Sequence, residues 1–161
     1  MNIISRRYLM TLLGLGIVFA GTDVMATQLT SNSGNIEISE PWARASIGTK
    51  GTAAVYMTIH NAGKKDVDLV RLSTKRAKMA QLHQSQTEAS GISMMSAMRA
   101  LKIPAGETVK LEPKGMHVML MQLKAAMEEG DSFDLLLTFS NGDQATVTVP
   151  TLAIGASGPD S

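Results

Sequence analysis

Polar and apolar residues alternate along most of this chain with a period of two. Residues 35–39 (NIEIS) read as a half-buried strand. Pro41 interrupts that pattern and Trp42 follows. Residues 52–60 (TAAVYMTIH) form a second strand, closed by Asn61-Ala62-Gly63. Further strands are predicted over 67–73, 77–84, 92–98, 108–111 and 116–123. Residues 133–139 and 145–149 flank Asn141-Gly142, a strong hairpin signal. Eight or nine short strands at this spacing predict an all-β, single-domain antiparallel sandwich. Only residues 123–129 suggest a helical turn, and the segment after Pro150 is expected to fray.

The first 26 residues break the pattern. Arg6 and Arg7 precede a 13-residue apolar run over 8–20, and Val24-Met25-Ala26 offers small-residue cleavage. That is the plan of a secretory signal peptide, too short for a membrane span of roughly 20 residues. Ser5-Arg6-Arg7 leaves twin-arginine export open beside the general route. The expected division is a signal peptide over 1–26, a β-sandwich domain over 27–150 and a short flexible tail over 151–161. The exported chain would be free of any membrane span, monomeric and periplasmic.

Charge excludes one class of partner. The exported chain has thirteen basic and thirteen acidic residues, and aromatics are 4% of the whole. Neither a basic stripe nor a row of stacking rings is available for nucleic acid. The sequence carries no nucleophile elbow, phosphate loop or zinc-protease motif, so no enzyme activity is expected.

Sulfur narrows the chemistry further. There are twelve methionines and no cysteine. Disulfides, thiolate zinc sites, iron–sulfur clusters, blue-copper centres and a cysteine-linked lipid anchor are thereby excluded. Thioethers remain the sulfur ligands. On a strand, His117 and Met119 share a face, about 6.5 Å apart along it, with Met121 beyond. A hairpin centred on Ala89 would set His83 directly opposite Met95, and a bulge at Gly91 would bring Met94 in instead. If both strands meet, His83, Met95, His117 and Met119 form a two-histidine, two-methionine site. Neutral soft donors suit Cu(I) and discriminate against zinc, magnesium and calcium. Met57, Met79, Met98 and Met127 are expected as core filler, as is Met121 if it is not a ligand. His60, ending a strand, is expected to be an exposed polar residue.

These residues resemble the PCuAC family of periplasmic copper chaperones. The family motif is a histidine, an often-present methionine, ten residues, a methionine, twenty-one residues, then His-x-Met. Here His83-Gln84 is followed by ten residues and Met95, and twenty-one residues then separate Met95 from His117-Val118-Met119. Pro41-Trp42-Ala43-Arg44-Ala45, Ile103-Pro104-Ala105-Gly106 and Glu129-Gly130-Asp131 are also similar, so the likeness covers about 36–149. Gln84 departs from the optional methionine, and the tail lacks the His/Met-rich extension of some members. The resemblance implies a cupredoxin-like Greek-key β-sandwich holding one Cu(I). It also implies a copper-accepting partner, such as the CuA domain of cytochrome oxidase or a Sco-type protein. Storage without delivery, and a metal-free sandwich used for interaction, are the competing expectations.

Overall fold

A computed structural model describes residues 30–48, 51–87 and 91–159. The expected signal peptide over 1–26 lies outside the described residues. Eleven strands follow in order: β1 (Thr30–Ser33), β2 (Ile36–Arg44), β3 (Ala53–Asn61), β4 (Val67–Ser73), β5 (Ala77–Thr87), β6 (Ser93–Met98), β7 (Leu101–Ile103), β8 (Thr108–Leu111), β9 (Met116–Leu123), β10 (Ser132–Phe139) and β11 (Gln144–Leu152). Every strand predicted from alternation is present. β1 and β7 are additional: Thr-Ser-Asn-Ser holds no apolar residue, and Leu-Lys-Ile is too short to show a period.

The strands run in the order β6-β5-β9-β3-β2-β11-β10-β4-β7, with β1 on β2 and β8 on β3. β11 joins two layers, pairing antiparallel with β10 and then parallel with β2 through Thr151–Ala43 and Leu152–Arg44. The result is a β-sandwich, all antiparallel except for that ladder. Alternating residues fill it. Ala145, Val147 and Val149 of β11 and Leu135, Leu137 and Phe139 of β10 meet Ile36 and Ile38 of β2, Val55, Met57 and Ile59 of β3, and Val118 and Leu120 of β9.

The sandwich is pinned at one end by a buried polar side chain. Asn61, 1% exposed, donates to the carbonyls of Lys65 (2.8 Å) and Ile103 (3.0 Å) and accepts from the Gly63 amide (3.0 Å). It ties the end of β3 to the turn that follows and to β7. His60, half-buried rather than fully exposed, shares a 3.0 Å hydrogen bond with the Thr108 hydroxyl of β8.

Two expectations are corrected. Residues 123–129 form no helical turn; after β9 the chain is irregular. Met127 is fully buried in the core and its backbone is held by Ser46 (2.9 and 3.0 Å), while Arg76 donates to Ala126 O (2.8 Å) and pairs with Asp131. Anchoring from both sides leaves no room for a helical turn. The chain after Pro150 does not fray at once either. Proline ends the ladder to β10, where its missing N–H costs little. Thr151 and Leu152 then pair with β2, and Ala156 is buried against Trp42 and Tyr56. Among the described residues no helix is long and apolar enough to cross a membrane.

Candidate metal centre

β2 decides what the outer face of its sheet presents. Its register with β3 shifts by one between Ser39 and Trp42, where Glu40 adopts a left-handed backbone (φ 51°) before Pro41. Proline cannot donate to a ladder, so a bulge accommodates it. One inserted residue exchanges the faces. Ile36 and Ile38 therefore point into the core, and so does Ala43, while Trp42 turns outward.

Trp42 begins a row of rings across the sheet. It lies opposite Tyr56 on β3, with ring centroids 4.4 Å apart. Tyr56 neighbours His117 on β9 at 6.3 Å. His117 is the direct cross-strand partner of His83 on β5, their rings stacked at 6.1 Å and 24°. Arg44 closes the far end, its guanidinium 5.9 Å from the Trp42 ring centre and 5.6 Å from that of Tyr56, held by a 2.7 Å bond to Ala156 O. Burial raises the Tyr56 hydroxyl above its usual pKa, and the Arg44 charge opposes that rise.

The two histidines are prepared alike. Nδ1 of His83 lies 3.3 Å from the carbonyl of Gln81, and Nδ1 of His117 lies 3.2 Å from the carbonyl of Gly115. A carbonyl can only accept, so each Nδ1 is the donor, and the tautomer with its proton on Nδ1 presents its lone pair at Nε2. A backbone hydrogen bond of this kind fixes the tautomer of a metal-binding imidazole. One ion bound through Nε2 bonds of about 2.0 Å would sit roughly 3 Å from each ring centre. The observed 6.1 Å is close to the largest ring separation that one such ion can bridge.

The methionines flank this pair. Met119 follows His117 by two residues, opposite Ala54 on β3 and Gln81 on β5, and is half-buried. The hairpin of β5 and β6 is corrected. His83 stands opposite Ala97, and Met95 opposite Ser85, so the register lies two residues from the one expected. Met95 is thus diagonal to His83 rather than directly across, a backbone separation of about 7–8 Å. A shift of two preserves the face. Met95, 62% exposed, lines the same open bowl of about 910 Å³ as His117 and Met119. Met94 pairs with Gln86 and takes the opposite face. Gln84 sits opposite Met116, on the core side of β5, away from the histidine pair.

The remaining methionines divide. Met57 and Met127 are buried, and Met98 and Met116 pack against the core. Met79, expected as filler, is 48% exposed. Its neighbour Met121 across the ladder is half-buried on the face of Met119. Among the described residues no strand pairs with β5 beyond Leu82 on the side of β6, which leaves Met79 exposed. The aromatic row was not anticipated; its signal was Trp42 just after a proline in a strand, which marks a bulge and hence an exchange of faces.

Among the described residues no three His, Asp or Glu side chains gather into a metal-sized group. Two neutral imidazoles and two thioethers fit a soft monovalent ion.

Residues 36–151 match the family described as "Putative lipoprotein LpqE-like". A relative in Leifsonia xyli, "Putative lipoprotein Lxx21020", is 34% identical over 71% of this chain and 68% of its own. The uncharacterised protein RP573 of Rickettsia prowazekii is 26% identical over 82% and 76% of the two chains. The fold is that of PCuAC domains. The copper-bound PCuAC domain of PmoF2 superposes with a TM-score of 0.66 at 22% identity, covering 77% of this chain and 97% of that one. The Cu(I) form of DR1885 from Deinococcus radiodurans superposes at 0.54 with 29% identity, covering 70% and 76%.

Proposed function

The chain belongs to the LpqE-like lipoprotein family, and on that premise we propose that it is an exported, periplasmic copper chaperone carrying one Cu(I). His83, Met95, His117 and Met119 would hold the ion. The observation that carries this reading is the cross-strand pair His83–His117, each ring with Nδ1 on a backbone carbonyl. The solved copper-bound PCuAC domain and Cu(I)-DR1885 support copper as the cargo. The signal peptide over 1–26 supplies the route of export. The family and the Leifsonia relative are described as lipoproteins, but this sequence holds no cysteine to carry a lipid.

The mechanism follows from the ligands. Uncharged donors at an open bowl hold Cu(I) without a counter-charge, and Met95 on an edge strand can leave first. An acceptor's stronger donors then replace the others one at a time. The CuA domain of cytochrome oxidase or a Sco-type protein would fill that role, with the carrier acting as a monomer. No covalent chemistry is required, which accords with a carrier rather than an enzyme.

Competition with a Cu(I) chelator tests the site. Met95→Leu and His117→Ala should each weaken Cu(I) binding by at least about tenfold while keeping the fold; altering residues that merely orient metal ligands already costs about 10–100-fold. Unchanged affinity in both variants sinks the site. Mixing the loaded protein with an apo CuA domain tests delivery: retention of the copper would identify a store.

A further inference from the structure

Residues 99–100 alone join β6 to β7 and carry the chain from one layer to the other. This short link leaves two strand edges bare. β6 ends at Met98, opposite Leu82, so residues 77–81 of β5 pair with β9 on one side only. β7 begins at Leu101, opposite Leu69, so residues 71–73 of β4 pair with β10 on one side only. Among the described residues no strand covers either edge.

Both edges border one open groove of about 500 Å³. Core residues Leu72, Ala77 and Leu82 reach its lining. Val70 and Met79, 45% and 48% exposed, add apolar surface to it. Its charged residues are Arg71, Lys78 and Arg99, with no carboxylate among the lining side chains. It contains none of His83, Met95, His117 and Met119, so it is a separate surface from the bowl.

Unpaired N–H and C=O groups along a strand template another strand. Five residues of β5 offer about 17 Å of such edge. Three cations without a carboxylate favour a negatively charged partner and disfavour a basic one. We propose that this groove docks an extended acidic segment of a partner protein, added to β5 in the line that β6 vacates. Alternate side chains of that segment would cover the core-side lining at Leu72 and Leu82. The others would place carboxylates beside Arg71, Lys78 and Arg99.

The probe is a seven-residue synthetic peptide of alternating glutamate and valine, titrated into the ¹⁵N-labelled protein. Saturable shifts and slowed amide exchange are expected at residues 77–81. The double variant Arg71→Glu/Lys78→Glu, its fold checked by the same spectrum, should bind at least about tenfold more weakly. A lysine–valine peptide, or the glutamate peptide with a central proline, should not bind. Equal binding of the lysine peptide overturns the proposal, as do shifts confined to another surface. So does the absence of binding by the glutamate peptide, since the cations then only guard the edges against pairing. Dodecanoate moving Leu72 and Leu82 without slowing exchange at 77–81, where the glutamate peptide does not slow it either, would assign the groove to a lipid and overturn it too.

Discussion

Replacing Tyr56 by leucine separates the packing of the aromatic row from its effect on the histidines. Leucine keeps most of the buried apolar bulk but removes the ring that lies 4.4 Å from Trp42, 6.3 Å from His117 and 5.6 Å from the Arg44 guanidinium. An aromatic pair contributes about 1 kcal/mol beyond its buried area. A half-exposed cation over a ring adds about 0.5–1 kcal/mol. Tyr56→Leu should therefore lower the stability of the metal-free protein by about 2 kcal/mol, read as an earlier urea midpoint at unchanged slope. The His117 ring also loses its neighbour on one side, while its Nδ1 bond to Gly115 O survives. Loss of such orienting contacts weakens metal binding by about 10–100-fold. With one of two restraints retained, about tenfold weaker Cu(I) binding is expected in chelator competition. Tyr56→Phe keeps the ring and should match the wild type in both assays. Wild-type Cu(I) affinity in Tyr56→Leu would refute the idea that the row orients His117, and a Phe variant as unstable as the Leu variant would refute the stacking argument.

Three further outcomes are expected. Met94→Leu should leave Cu(I) affinity unchanged where Met95→Leu lowers it, because Met94 faces away; equal losses in the two titrations would contradict the register. Asn61→Ala removes three hydrogen bonds of a buried side chain, each worth about 1 kcal/mol, and should cost about 3 kcal/mol in urea unfolding; a loss within error of zero would refute that role. Asp66 is held below the usual carboxylate range, first by its hydrogen bond from Lys102, 2.8 Å away, and then by the Ala105 amide. Its small contribution is present above the ordinary carboxylate pKa and is lost as pH falls through the lower folded value, so Lys102→Ala should move the Asp66 titration upward by NMR, and no movement would disprove the pairing.

Alternation made most of the strands legible, because the sheets are half-buried and the period survives in the sequence. What was not legible had too few residues or too little hydrophobic contrast. β1 has no apolar side chain, and β7 has only two. The 123–129 loop misled because Met127 is buried through backbone anchoring by Ser46 rather than through any helical period. Met79 misled because residue type cannot reveal that β6 stops at Met98 and leaves β5 uncovered. The pairing of His83 with His117 needed β5 and β9 to be neighbours in the fold, although they lie far apart in the chain.

The hairpin shows which kind of register error a donor set can survive. The expected pairing of β5 with β6 differs from the observed one by two residues, yet Met95 stays on the face of His83. Strand side chains alternate, so an even shift moves a donor along a face and an odd shift removes it. Two adjacent methionines change that consequence. A slip of one residue would take Met95 off the face and put Met94 onto it, so a thioether would accompany His83 in either register. The backbone of β6 is an exposed edge, paired on one side by β5, where slippage meets least resistance. On the proposed ligand set, residue identity at 94–95 would secure a sulfur donor where the sheet secures position least, whereas His117, on β9 between β3 and β5 and 5% exposed, would need no duplicate.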